Sequence, residues 1–129
     1  MGDLTEEQAR QMEAGPELSR ICAKWMGWSY FAGMGSHQWK LEASASTRPI
    51  IHQGKDPPPF STDWSAAGPL LEAMKGHLSY RTIDGQWMCI LGAKGVTVRG
   101  YGPTPQLAIA RACAVLVARG ISRDDLEEL

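Results

Sequence analysis

Aromatic and basic side chains recur in this 129-residue chain in a combination that suits a compact anionic ligand. Arginine side chains fork onto phosphate groups and aromatic rings stack on bases, so the two types together favour a nucleotide-like ligand. Helix N-termini add backbone N–H groups that bind anions. The candidate ligand-binding residues are Trp39, Ser61, Thr62, Trp64, Tyr80, Arg81, Arg99, Tyr101, Thr104 and Arg111, with Arg48, Lys55 and Lys94 as further cations nearby.

No spacing in the sequence indicates catalysis. His37, His52 and His77 form no i, i+3 or i, i+4 pair, so an acid–base or metal site is only a remote alternative. Ser61 lies in PFSTD, which lacks the glycines of a nucleophile elbow, and a helix cap explains it better. We therefore expect a protein that is not an enzyme, with no catalytic residue, metal or cofactor.

Composition describes one ordinary globular domain. The formal net charge is −1 and charged residues make up 21%, so the basic excess of a general nucleic-acid binder is missing. The three cysteines form no CxxC motif and lie in apolar stretches, which predicts buried free thiols in a reducing compartment. No apolar run reaches bilayer length and no signal peptide is evident, so we expect a cytoplasmic location without membrane partners.

Two helices are predicted in the first 27 residues. The sequence TEEQ, beginning at Thr5, has the form of a capping box and predicts a helix that runs to about Ala14. Pro16 opens a second helix, whose apolar positions 18, 21, 22 and 25 follow helical spacing until Gly27 ends it.

Two further helices are predicted later in the chain. The third begins at FSTDW with Ser61 or Thr62 as the N-cap, and Gly68-Pro69 predicts a kink or a fresh start at Pro69. The fourth covers residues 105–119 between the N-cap Thr104 and Gly120, and a single charge within its apolar stretch indicates burial on most sides.

The strand signals lie in two regions. Residues 78–83 and 86–91 flank Asp84-Gly85, a strong hairpin signal, and residues 96–101 form a third strand. The middle strand is apolar on both faces, which predicts cover on both sides. Residues 28–60 are expected to form an irregular insert of strands and loops. Within it, residues 28–31 are extended and short strands are predicted at 37–41 and 48–52. Residues 121–129 are expected to be a tail that can add one helical turn.

These elements predict an α+β fold: a small antiparallel sheet of three to five strands sandwiched with helices, in a single domain spanning residues 1–129. The sheet, apolar on both faces, also makes a homo-oligomer plausible.

Four segments in order resemble one family. MEAGPEL (12–18), WMGW (25–28), PPFSTDWSAA (58–67) and TPQLAIARACA (104–114) are similar to the pattern of the phage ABA-sandwich domain, found in small phage and prophage proteins. The chain departs from that pattern in Phe60, where the family often has Tyr, and in Gly68-Pro69 within a plain helix. The resemblance implies the sandwich fold and a phage origin, and no established activity.

The combined expectation is a phage accessory protein that acts in the host cytoplasm against host defence. It would bind and sequester a small anionic nucleotide-type immune signal without catalysis. The alternative is a phage protein–protein interaction module that inhibits or regulates a host or phage protein, through an exposed apolar patch of Trp39, Phe60 and the three prolines at 57–59. A nucleotide hydrolase is a third class of function.

Overall fold

The computed structural model describes residues 4–33, 35–41, 50–93, 95–123 and 125. Within these residues the chain forms four helices and six strands. Their order is α1 (Glu6–Gln11), α2 (Pro16–Met26), β1 (Trp28–Gly33), β2 (Ser36–Leu41), β3 (Ile50–Gln53), α3 (Trp64–Met74), β4 (His77–Arg81), β5 (Gln86–Ala93), β6 (Val96–Gly102) and α4 (Pro105–Ala118). The predicted α+β class is confirmed.

Helix α4 forms the centre of the core. The Thr104 side chain caps it by accepting a 3.2 Å hydrogen bond from the Leu107 N–H, as predicted. Nine of its fourteen residues are buried, because it packs against α1, α2 and α3 and also against β5 and β6. The fold therefore has three layers, with α4 between the C-terminal sheet on one side and the other helices on the other side.

The strands form two separate antiparallel sheets of three strands rather than one. The N-terminal sheet has the order β1-β2-β3 and the C-terminal sheet the order β4-β5-β6. Each strand pairs with its neighbour along the chain, and α3 lies between β3 and β4 in the sequence. Residues 28–60 thus contain a regular sheet; predicted strand positions 48 and 49 lie outside the described residues.

The β4–β5 hairpin has a longer loop than its Asp84-Gly85 signal predicts. Arg81 pairs with Gln86, so the loop contains four residues and β4 ends at Arg81. The Gly85 N–H donates to the Arg81 carbonyl at 2.9 Å, and Gly85 takes a left-handed conformation with φ 68°. The two faces of β5 differ in burial: Cys89 and Leu91 are buried on one face, whereas Met88 and Ile90 on the opposite face remain partly exposed.

The N-terminal helices begin and end close to the predicted residues. The capping box of Thr5 and Gln8 is present, although α1 ends at Gln11 and is shorter than predicted. Helix α2 ends in the left-handed Gly27, as predicted. The tail contains a turn in which Ser122 and Asp125 cap one another, and residues 126–129 lie outside the described part of the chain.

Helix α3 begins at a different N-cap from the one predicted, and it contains Pro69. Its N-cap is Asp63, whose side chain accepts from the Ser65 N–H at 2.9 Å, and neither Ser61 nor Thr62 caps the helix. The helix continues through Pro69 without a fresh start. Pro69 lies near the middle of the helix with its ring exposed, and without an N–H it leaves the Ser65 carbonyl without its usual helical partner.

Candidate functional site

A cleft lined by three cations and two aromatic rings forms where the N-terminal sheet folds back over α2. Gly27, with φ 100°, ends α2 and lets β1 start at the next residue and pack against α2. Tyr30 of β1 and Trp39 of β2 are direct cross-strand partners, so their side chains share one face of the sheet. That face meets the polar side of α2.

We call this feature the basic cleft and define it by its lining residues, Arg20, Lys24, Tyr30, Trp39 and Lys55. Its volume is about 310 Å³, at the lower end of the range for small-molecule sites. Arg20 and Lys24 lie one helical turn apart on α2, which places both side chains on the same side of that helix. Among the residues that the structure describes, no acidic side chain lines the cleft.

The cations of the basic cleft are available to a ligand. Arg20, Lys24 and Lys55 are all exposed, and none forms an ion pair or side-chain hydrogen bond with a described residue. Three unpaired positive charges around one small volume favour an anion, since their fields add where the ligand sits. The lining therefore favours an anionic ligand.

The aromatic part of the cleft is held in place by hydrogen bonds. Trp39 is only 2% exposed, and its indole N–H donates to the Lys55 carbonyl at 3.1 Å. Tyr30 lies against it with ring centroids 5.3 Å apart and remains 42% exposed. Tyr30 also stacks on His37, and the Tyr30 hydroxyl and His37 Nδ1 are hydrogen-bonded. Tyr30 is thus the ring that a ligand base can reach.

Three of the predicted ligand-binding residues meet on the outer face of the C-terminal sheet. The Arg81 guanidinium lies over the Tyr101 ring, 5.2 Å from its centroid, and Arg81 also pairs with Asp84 at 3.4 Å. Arg99 is on the same face of β6 as Tyr101, two residues before it, and is exposed. Tyr80 is on the opposite face of β4 and contacts Trp87 edge to face at 5.2 Å. This arrangement is an open surface and shares no residue with the basic cleft.

Ser61 is occupied by structural contacts. It is buried, and its hydroxyl accepts a 3.0 Å bond from the Gly15 N–H and contacts the Ser19 hydroxyl at 3.1 Å. Thr62 is exposed in the turn that follows. Trp64 is half exposed at the first position of α3, and Thr104 is the N-cap of α4. None of these predicted residues lines the basic cleft.

Arg111 connects three elements through backbone atoms. Its Nε donates to the Met12 carbonyl and its Nη1 to the Tyr101 carbonyl, both at 2.9 Å. Burial lowers the pKa of the Arg111 guanidinium, while the Glu13 carboxylate raises it. Arg111 therefore joins the end of α1 to the end of β6 across α4, which explains a lone charge in an apolar helix.

The apolar contact patch expected from Trp39, Phe60 and the prolines does not exist. Trp39 and Phe60 are each 2% exposed, and Pro57 and Pro58 are also buried. Phe60 belongs to the main apolar core, because the proline segment places the start of α3 against the body of the protein. An interaction surface must therefore lie elsewhere.

Sequence reasoning missed Arg20, Lys24 and Tyr30. One signal was present: Arg20 and Lys24 have i, i+4 spacing on the polar face of an amphipathic helix. That signal alone describes any solvated helix face, and the ring opposite them depends on how β1 folds back. Of the predicted set, Trp39 and Lys55 do line the cleft, while Arg48 and Lys94 lie outside the described residues.

Other types of site are not seen among the described residues. The thiols Cys22, Cys89 and Cys113 are free and buried, as predicted. No three His, Cys, Asp or Glu side chains within the described ranges are placed to hold a metal ion. None of the described helices has the length and apolar character needed to cross a bilayer.

Comparison with known proteins finds no similar protein. No known protein family matches the sequence, and no curated protein is similar to it.

Proposed function

We propose that this protein binds a compact anionic ligand of the nucleotide class in the basic cleft and retains it without chemical change. The observation that carries the proposal is the set of three unpaired cations, Arg20, Lys24 and Lys55, around the exposed ring of Tyr30. The cations suit phosphate oxygens, and the ring suits a base. The volume of about 310 Å³ suits a ligand near the size of a mononucleotide or one half of a larger nucleotide.

The biological setting in this proposal comes from the sequence resemblance to small phage proteins. In that setting a protein that binds a nucleotide signal stoichiometrically would lower the free concentration of the signal and protect the phage from host defence. Binding by capture requires neither a nucleophile nor a general base, and the described residues that line the basic cleft include no carboxylate or histidine that could supply one.

Titration of the purified protein with nucleotide probes tests the proposal. Cyclic ADP-ribose, ADP-ribose and a cyclic dinucleotide are added in turn, and binding is followed by calorimetry and thermal shift. We expect at least one probe to raise the melting temperature, to bind more weakly as salt is increased, and to be recovered unchanged after heat denaturation. A chemically altered probe would show an enzyme, and no binding by any of the three would refute the proposal.

Substitutions locate the bound probe. Lys24→Glu should weaken binding about tenfold, since it replaces a favourable charge contact with a repulsive one. Tyr30→Leu should also weaken it about tenfold through the loss of stacking on the base. The matched control is Arg99→Ala on the C-terminal sheet, which should leave affinity unchanged. If Arg99→Ala abolishes binding and Lys24→Glu does not, the ligand site is on the C-terminal sheet and the basic cleft is the wrong site.

The alternative function, inhibition or regulation of a host or phage protein, is favoured by the outer face of the C-terminal sheet. Arg81, Arg99 and Tyr101 are grouped there beside the partly exposed Met88 and Ile90, which suits a partner with an acidic rim and an apolar centre. In this case a partner captured from infected cells should be lost with the double variant Arg81→Glu, Arg99→Glu and retained with Lys24→Glu.

A further inference from the structure

The aromatic ring that the basic cleft offers to a ligand is itself held by a histidine. His37 on β2 shares a face of the N-terminal sheet with Tyr30, because its cross-strand partner on β1 is Ala32, two residues beyond Tyr30. The two rings stack with their centroids 6.0 Å apart and their planes inclined by 14°. The Tyr30 hydroxyl and His37 Nδ1 are also hydrogen-bonded. His37 therefore contacts both the ring and the hydroxyl of Tyr30.

The direction of this hydrogen bond depends on the protonation of His37. A neutral imidazole carries a hydrogen on one nitrogen only, whereas a protonated imidazole donates from both nitrogens. When His37 is neutral with a bare Nδ1, the Tyr30 hydroxyl donates to it, and the hydroxyl hydrogen is occupied. When His37 is protonated, Nδ1 donates to the Tyr30 oxygen instead. The contact between the two side chains then persists, and the hydroxyl hydrogen becomes available to a ligand.

Other charged and titratable groups lie on the same side of the sheet as this pair, on α2, on β3 and just after β3. They are Arg20, Lys24, His52 and Lys55. Three of them are the cations of the basic cleft, and the fourth is the cross-strand partner of Trp39. None of the described carboxylates forms an ion pair with His37. A proton on His37 therefore adds a fourth positive charge to the surroundings of the cleft, and an anion in the cleft balances it.

We propose that His37 is a positioning residue for Tyr30 and that its protonation strengthens anion binding in the basic cleft. This inference rests on the nucleotide binding proposed above and adds a regulation of that site. A fall in pH adds a positive charge beside the cleft and releases the hydroxyl hydrogen of Tyr30, and both changes favour phosphate oxygens. The protein therefore holds a nucleotide more tightly at about pH 5 than at about pH 8, the range over which histidine side chains change charge.

The hydrogen bond is tested first, without a ligand. Protein labelled with ¹⁵N in its histidines is titrated from about pH 8 to about pH 5, and the ring nitrogens are followed by NMR. The signals are assigned from the variants His37→Asn, His52→Asn and His77→Asn. At the upper pH we expect His37 to have a bare Nδ1 and a protonated Nε2, and Tyr30→Phe should move the Nδ1 signal of His37 and leave that of His77 in place. A proton on Nδ1 at the upper pH would overturn the proposal.

The regulation is tested by affinity at the two pH values and constant ionic strength. ADP-ribose and a cyclic dinucleotide are the probes, because their phosphate groups keep the same charge over this range. We expect binding to the wild-type protein to be about fivefold tighter at the lower pH. His37→Asn keeps a hydrogen-bond acceptor near the position of Nδ1 and does not titrate. It should match the wild-type affinity at the upper pH and show no gain at the lower pH, whereas His37→Leu, without the acceptor, should bind about threefold more weakly at the upper pH.

The other two histidines of the chain supply the matched controls. His52→Asn and His77→Asn should keep the pH dependence of the wild-type protein. Equal wild-type affinity at both pH values, or a gain that survives in His37→Asn, would overturn the regulation and leave nucleotide binding standing. No binding of either probe at either pH would refute nucleotide binding and its regulation together. Because the wild-type titration and the ring-nitrogen spectra use the native chain, poor folding of a His37 variant would not prevent a decision.

Discussion

Replacement of Gly100 by alanine should strongly destabilise the protein, because β6 and α4 touch through backbone atoms at this residue. A Cβ on Gly100 would lie 2.3 Å from the Ala112 nitrogen and 2.4 Å from the Ala108 carbonyl oxygen. Ordinary contact begins at 3.4 Å, so the shortfall at the nearer atom is 1.1 Å. Helix backbone cannot rotate away as a side chain can, so the sheet and the helix must separate.

The separation would affect the centre of the core. Val98 on β6 and Cys89 on β5 are fully buried on the sheet face that carries Gly100. Overpacking of a core costs about 1–3 kcal/mol, and a clash with backbone belongs at the upper end, so we expect about 3 kcal/mol for Gly100→Ala. For a domain of this size that corresponds to a fall in melting temperature of roughly 10 °C.

Urea denaturation followed by tryptophan fluorescence measures this loss, with Gly33→Ala as the matched control. Gly33 also lies in a strand, its φ is not left-handed, and no atom lies within 4 Å of an added Cβ. The control should stay within about 0.5 kcal/mol of the wild-type free energy of unfolding. If the two variants unfold at the same urea concentration, β6 does not approach α4 as closely as described and the reasoning fails.

Three further predictions concern stability. Arg111→Met should lower the free energy of unfolding by about 2 kcal/mol, because two backbone carbonyls lose a charged hydrogen-bond donor. The same variant should bind nucleotide with unchanged affinity. A loss of affinity in the folded variant would contradict a purely structural role for Arg111. Burial raises the pKa of the Cys89 thiol from 9.0 to about 12, so the unfolded chain loses this proton first and stability should fall between these pH values. This thiol should lower the free energy of unfolding by at most about 1.4 kcal/mol per pH unit, and the decrease should be smaller in Cys89→Ala. Urea denaturation at several pH values measures both decreases, and equal decreases in the wild-type protein and in Cys89→Ala would contradict the prediction. Thr104→Ala should cost about 1 kcal/mol in thermal or urea denaturation through the lost N-cap, whereas Thr62→Ala, which caps nothing, should be neutral.

Helix ends are the part of this fold that the sequence predicts best. Thr5, Pro16, Gly27 and Thr104 each fix a helix end through contacts with residues no more than a few positions away. The β4–β5 hairpin is predicted for the same reason, since Asp84-Gly85 favours a turn locally. Its loop length was not predictable, because the pairing of Arg81 with Gln86 depends on how the whole sheet packs.

The start of α3 shows where a local rule becomes ambiguous. Ser61, Thr62 and Asp63 are all residue types favoured at an N-cap, and the sequence led to the prediction of Ser61 or Thr62. The choice is made by a contact with α2, since the Ser61 hydroxyl is engaged by Gly15 and Ser19 more than forty positions earlier in the chain. Asp63 then remains to cap the helix.

The sequence by itself determined which segments are helices and strands, the α+β class and the presence of aromatic and basic side chains suited to an anion. The tertiary structure decided which of those side chains meet. Arg20 and Lys24 face Tyr30 only because β1 turns back at Gly27, and Arg111 bonds to a carbonyl ninety-nine positions away. Caps, turns and periodicity act over a few residues, whereas a cleft forms between elements whose approach is set by burial of the whole core.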